Sequence, residues 1–149
     1  MITDSGTRRE FSTGAVRDIQ TGKGRCDLMP LSVVAELLND TVIGCIAAYQ
    51  SHDDVKYLYM ALTYFAGRYE NVFDMLLEVS KHFEEGCEKY GPDNWKKGIP
   101  ARCYVDSAVR HYLKWYRGDD DENHDRAFVW NIMCLIWTLE NGLEVNDEN

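Results

Sequence analysis

The segment from Ala127 to Trp137 is apolar on every face of a helix, and this feature constrains the fold more than any other. Asn131 is its single polar residue. A helix that is apolar all round has to be enclosed by other helices or by a membrane. The segment is shorter than the roughly 18 apolar residues that a membrane span needs. It therefore predicts the central helix of a bundle, and a chain of 149 residues with 45% hydrophobic residues can enclose it.

Apolar residues recur at helical spacing through most of the chain after residue 28. The pattern predicts helices from Leu31 with a break near Asn39 and Asp40, from an N-cap at Asp53 to about Tyr69, from Asn71 to Gly91-Pro92, from Ala101 to Tyr116, and from about His124 to Glu140. No segment shows convincing strand alternation. We predict an all-α bundle of four or more helices over residues 28–140, with an irregular arm at 1–27 and a polar tail at 141–149.

The charge distribution excludes several kinds of partner. The formal net charge is −9, yet residues 1–25 carry five basic and three acidic side chains. An acidic body repels duplex nucleic acid and anionic membranes, so we expect neither as a partner. The first ten residues lack the apolar run of a secretory leader, and the five cysteines form no C-x-x-C pair. These features predict a cytoplasmic location.

Carboxylates cluster twice in the predicted helices. Glu84, Glu85 and Glu88 lie at the i, i+3 and i+4 spacings that share a helix face. Clustered carboxylates need a cation, and Mg²⁺ or Mn²⁺ prefers such oxygen ligands. The alternative is a solvated acidic face.

The second cluster is Asp121 with His124, three residues apart at the start of the apolar helix, where an acidic cap is the alternative. Asn131 lies almost two turns below His124 on the same face. A buried amide without a partner costs roughly 1–3 kcal/mol. Asn131 should therefore bond to another helix or orient a ligand.

A third group combines aromatic and basic residues around the loop after Tyr90. Trp95 and Asn94 offer a flat surface and an amide for a nucleobase, and the alternative is that Trp95 closes the end of the bundle. Cations suited to phosphate surround them: Lys89, Arg110, His111, and the arm residues Arg17, Lys23 and Arg25.

Several segments, taken in order, resemble the phage-associated dATP/dGTP diphosphohydrolase domains, a branch of the MazG-type all-α nucleotide pyrophosphohydrolases. The segments are residues 14–18 and 22–30, Glu85 to Gly91, Asn94 to Pro100, Asp106 to His111, and His124 with Trp130-Asn131. The MazG-type enzymes carry an E-E-x-x-E helix, a later E-x-x-D pair and a following Asn. Relative to shorter members of the family, residues 39–69 look like a helical insertion.

The resemblance implies a role for each matching residue. Glu84, Glu85 and Glu88 match the first motif as catalytic residues, with Glu84 as the general base. Glu85, Glu88, Asp121 and His124 would hold Mg²⁺ or Mn²⁺. Because His124 replaces an aspartate of the family pattern, and Asp121 a glutamate, the site should favour the softer Mn²⁺. Arg17, Lys23, Arg25, Lys89 and Arg110 would bind phosphates, and Asn94, Trp95, His111 and Asn131 would complete the substrate site.

The implied activity is metal-assisted hydrolysis of dATP or dGTP to the monophosphate and pyrophosphate, for control of a phage nucleotide pool. One alternative is a non-catalytic protein that sequesters a nucleotide signal of host defence, and another is a helical adaptor without nucleotide affinity. Relatives assemble as dimers or tetramers, so the resemblance also implies a homo-oligomer.

Overall fold

A computed structural model describes residues 5–143 of the chain. These residues form six α-helices, two short 3₁₀ helices and one small antiparallel hairpin, which confirms the predicted all-α fold. The helices are α1 (Leu31–Leu38), α2 (Thr41–His52), α3 (Lys56–Ala66), α4 (Val72–Tyr90), α5 (Ala101–Arg117) and α6 (His124–Glu140). The 3₁₀ helices are Cys26–Leu28 and Asn94–Lys97. No described helix is long and apolar enough to cross a membrane.

The apolar helix α6 lies at the centre of the bundle, as its sequence predicts. It packs against α5, α4 and α3. Phe128, Val129, Ile132 and Leu135 on its different faces are all fully buried. Burial of this kind is the main source of stability for a domain of this size.

Helix α4 begins and ends where its sequence predicts. The Asn71 side chain accepts a hydrogen bond from the Phe73 N–H at 2.8 Å, and Gly91 stops the helix with a φ of +86°. Met75 and Val79 on the inner face are buried. Phe73 is 70% exposed, so the outer face carries apolar area that the predicted homo-oligomer would cover. That assembly stays a prediction.

The predicted helix over residues 53–69 is wrong at both ends. Asp53 follows the end of α2 in the left-handed region, with a φ of +52°, and its N–H donates to the Tyr49 carbonyl. Aspartate tolerates this conformation better than most residues, so Asp53 ends one helix instead of beginning the next. Helix α3 begins only at Lys56 and ends at Ala66.

The described part of the arm is more regular than predicted. Strands β1 (Arg8–Glu10) and β2 (Val16–Asp18) pair antiparallel, with Arg9 opposite Arg17. In the connecting turn, the Phe11 N–H donates to the Ala15 carbonyl at 2.9 Å, and both residues are buried. Strands of three residues are too short to show an alternation of apolar and polar residues, so the sequence did not predict the hairpin. Residues 1–4 of the arm and 144–149 of the tail lie outside the described range.

Candidate functional site

A cavity of about 710 Å³ opens between the hairpin and the helical bundle. Its walls come from β2, α4, the 3₁₀ helix Asn94–Lys97, α5, the segment before α6 and the middle of α6. Aromatic side chains in the wall are Phe83, Tyr90, Trp95 and Trp130. The volume lies within the range of small-molecule sites, and a mixed aromatic and charged lining suits a nucleotide.

Asn94 holds the hairpin against the bundle. Its Nδ2 donates to the Val16 carbonyl and its Oδ1 accepts from the Val16 N–H, both at 2.8 Å. Asn94 is buried, so these bonds use the amide that was predicted to contact a base. The neighbouring Trp95 packs edge-on against Phe83 and Trp137, as the end of a bundle requires, while it also lines the cavity.

Asp106 and Arg110 of α5 fasten the next part of the arm. The buried Asp106 carboxylate accepts from the Cys26 N–H at 2.7 Å and pairs with the Arg110 guanidinium at 2.6 Å. Arg110 also donates to the Gly24 carbonyl at 2.8 Å. Arg110 lines the cavity, but its charge is already balanced by a neighbouring carboxylate.

The predicted phosphate-binding cations of the arm and α4 are placed in different ways. Lys23 lines the cavity and pairs with Asp18 at 2.9 Å. Arg25 makes two bonds to Asp27, at 2.7 and 2.8 Å, and is not part of the wall. Lys89 also lies off the wall, with its ammonium 5.4 Å from the Tyr90 ring.

Arg17 lines the cavity, and no carboxylate of the described residues pairs with it. Its Nη2 donates to Asn131 Oδ1 at 3.1 Å, and its guanidinium lies 5.3 Å from the Tyr104 ring centre. Asn131 Nδ2 donates in turn to the Ala127 carbonyl at 2.8 Å. The single polar residue between Ala127 and Trp137 is therefore satisfied on both sides, and it fixes a cation of the arm in the cavity wall.

His111, His124 and Asp121 form a hydrogen-bonded chain beside the cavity. His124 Nε2 lies 2.7 Å from Asp121 Oδ1, and His124 Nδ1 lies 2.9 Å from His111 Nδ1. The hydrogen bond from His124 lowers the pKa of Asp121. Burial lowers the pKa of His111 well below its ordinary value, so its imidazole is neutral at pH 7.

The predicted metal ligands do not assemble into one group among the described residues. Two clusters of three residues have donor atoms within 4.8 Å of one another. One is Asp119, Asp121 and His124, and the other is His111, Glu122 and His124. Glu85 and Glu88 belong to neither cluster. The donor set near His124 therefore suits a divalent cation, whereas the α4 carboxylates add nothing to it in this arrangement.

The three predicted glutamates of α4 do not line the cavity. The wall side of α4 carries His82, Phe83, Gly86, Cys87 and Tyr90, and includes none of the three predicted glutamates. Glu84 and Glu88 are exposed, which favours the alternative of a solvated acidic face.

Glu85 instead pairs across the bundle with Arg126 of α6, which is only 5% exposed, at 2.6 Å. Burial alone would raise the pKa of Glu85, but the hydrogen bond and charge of Arg126 outweigh it and lower the pKa. A catalytic role for these glutamates stays a prediction.

Three residues of the site were missed by the sequence analysis. Lys114 lines the cavity one turn after His111 and forms no ion pair with the described residues. Its i+3 spacing from His111 was a usable signal. His82 is buried beside the cavity, packs at a tilt against Trp130, and has a pKa that burial lowers to about 4. Glu122 lines the cavity two residues before His124.

A family model described as dATP/dGTP diphosphohydrolase, N-terminal, matches residues 47–148, which is more than half of the chain. The match covers α3 to α6 completely, while the arm motifs of residues 14–30 precede it. Residues 47–69 of the predicted insertion fall inside the matched range. No curated protein and no solved structure matches the chain.

Proposed function

Because the chain belongs to the dATP/dGTP diphosphohydrolase N-terminal family, we propose that it hydrolyses a deoxypurine nucleoside triphosphate to the monophosphate and pyrophosphate. The observation that carries this proposal is the cavity with an unpaired cation on each of two walls. Arg17 from the hairpin and Lys114 from α5 both line it, on a chain whose net charge is −9. The net negative charge of the chain repels an anion, so an anion binds where cations such as these make the local electrostatic potential positive.

Each group of wall residues has its own part in this proposal. Arg17 and Lys114 bind phosphate oxygens without first breaking an ion pair within the protein. Asn131 orients Arg17, and Asn94 keeps the hairpin that carries it closed over the cavity. Trp95 and Tyr90 offer flat apolar surfaces for a purine.

The proposal includes a divalent cation, Mg²⁺ or Mn²⁺, near Asp121 and His124. When bound, such an ion would neutralise phosphate charge and lower the pKa of a water molecule. The donor set at His124 fits this ion, since neutral imidazole and carboxylate are both suitable ligands. We do not include Glu85 in the ligand set, because its carboxylate is engaged by Arg126.

A second candidate function is supported by the separation between the α4 glutamates and the donor atoms around His124, which do not belong to the same cluster. If the α4 glutamates stay apart from Asp121 and His124, the chain can bind a nucleotide without assembling the family's catalytic ligands. The protein would then sequester a nucleotide instead of hydrolysing it.

Incubation with dATP or dGTP and Mn²⁺ distinguishes these functions. Release of the monophosphate and pyrophosphate supports the hydrolase, binding without products supports sequestration, and the absence of both refutes the proposed site. Arg17→Ala and Lys114→Ala should each raise KM, or Kd for a nucleotide that is bound but not cleaved, about tenfold or more. Lys81→Ala is the matched control, since Lys81 is an exposed lysine on α4 that pairs with Glu78. An equal effect in the control would contradict the assignment.

A further inference from the structure

We propose that His111, Glu122 and His124 form a transition-metal site at the edge of the cavity. Each residue offers a donor atom within 4.8 Å of the other two. The inference deepens the proposed function, because it names the ligands and the class of metal that the site selects. It can be tested without a nucleotide, so its outcome is separate from that of the proposed reaction.

The spacing of the two imidazoles matches that of neighbouring ligands on one ion. His111 Nδ1 and His124 Nδ1 lie 2.9 Å apart. With metal–nitrogen bonds of about 2.1 Å, two ligands at a right angle are about 3.0 Å apart. Without an ion, the two nitrogens share one proton in a hydrogen bond. A bound ion replaces that proton, which moves to Nε2 of His111.

Asp121 orients His124 in the way that a ligating histidine requires. It accepts from His124 Nε2 at 2.7 Å, and this contact leaves Nδ1 of the same ring directed at His111. A histidine that binds a metal usually donates its other ring N–H to a carboxylate or a carbonyl, which fixes the tautomer and the ring position. The side chain of His124 is fully buried, so its orientation is set before any ion arrives. Asp121 is thus a positioning residue in this arrangement.

The ligand set determines which ions the site prefers. Two imidazoles and one carboxylate favour Mn²⁺ and later first-row ions over Mg²⁺, which prefers oxygen ligands and retains its water. His111 and Glu122 line the cavity, so the ion can be reached from the space where phosphates would bind. Three protein ligands leave coordination positions open for water or a phosphate oxygen.

Titration of the full chain with Mn²⁺, followed by electron paramagnetic resonance, tests the site. We expect one Mn²⁺ to bind per chain. Its Kd should be at least tenfold lower than the Kd of Mg²⁺ measured by competition at the same site. His111→Ala and Glu122→Gln should each raise Kd for Mn²⁺ at least tenfold, and Asp121→Asn by about 10- to 100-fold. The matched controls are His52→Ala on α2 and Glu36→Gln on α1, both exposed and off the cavity wall. Each should leave Kd unchanged.

Two results would overturn the inference. One is an unchanged Kd in both His111→Ala and Glu122→Gln, with each variant folded by circular dichroism. The other is a loss of Mn²⁺ affinity in Glu88→Gln with none in Glu122→Gln, which would place the ion with the α4 carboxylates. Tight Mn²⁺ binding without nucleotide turnover would refute only the proposed reaction. Nucleotide turnover by the unaltered chain, together with an unchanged Kd for Mn²⁺ in both His111→Ala and Glu122→Gln, would refute only this inference.

Discussion

Replacing Asn94 with alanine should release the hairpin from the bundle. The change removes the two 2.8 Å hydrogen bonds to Val16 and leaves that residue's N–H and carbonyl without these partners. A buried group that loses its partner costs about 1–3 kcal/mol. Val16 is only partly buried, so water recovers part of this loss, and we expect about 2–3 kcal/mol for the pair. Since 1.4 kcal/mol is a factor of ten, the undocked population should rise roughly 30- to 150-fold.

Hydrogen exchange followed by mass spectrometry measures this population directly. Amides of residues 8–18 should lose protection by about the same factor, while those of α6 keep theirs. KM for a nucleotide should rise as well, because Arg17 leaves the cavity with the hairpin. Asn141→Ala is the control, since its exposed amide donates to the Trp137 carbonyl and forms no hydrogen bond with the described hairpin residues. Unchanged protection of residues 8–18 in Asn94→Ala would refute the docking role.

Two further predictions concern stability. His82 has a pKa of about 4 in the folded state, below its unfolded value near 6.5. Between these pH values the unfolded state binds more protons, so the free energy of unfolding decreases as the pH is lowered from 6.5 to 4. Chemical denaturation measures how much the free energy of unfolding decreases between pH 7 and pH 5, and this decrease should be about 2 kcal/mol smaller in His82→Phe than in the unaltered chain. An equal decrease in the variant and the unaltered chain would contradict the burial argument. Glu85→Gln should reduce the free energy of unfolding by roughly 1–3 kcal/mol, because Arg126 loses a charged partner. Glu88→Gln should change it by less than about 0.5 kcal/mol, and equal effects would show that the Glu85 pair is not structural.

The helices that the sequence predicts best have strong local signals. Helix α6 is apolar on every face, and α4 lies between an asparagine cap and a Gly-Pro stop. Asp53 was misassigned because an aspartate between two helices can cap the start of one or follow the end of the other. Only the backbone conformation at that residue distinguishes the two cases.

The site could be predicted only in part, because sequence spacing does not fix the rotation of a helix. Spacing places Glu85 and Glu88 on one face of α4, but the partner of Glu85 is Arg126, 41 residues away. Asn131 was identifiable as a polar residue in need of a partner. That the partner is Arg17 of the arm depends on how the hairpin docks, and no local pattern encodes that contact.

The docking of the hairpin also sets an order of events during synthesis. Val16 bonds to a residue 78 positions later, and Arg17 to one 114 positions later. The hairpin leaves the ribosome first, and its anchors Asn94 and Asn131 emerge only after most of the bundle helices that precede them. A nascent chain that stops before Asn131 therefore lacks the side-chain amide that accepts a hydrogen bond from Arg17. The pocket becomes complete only after residue 131 has been made.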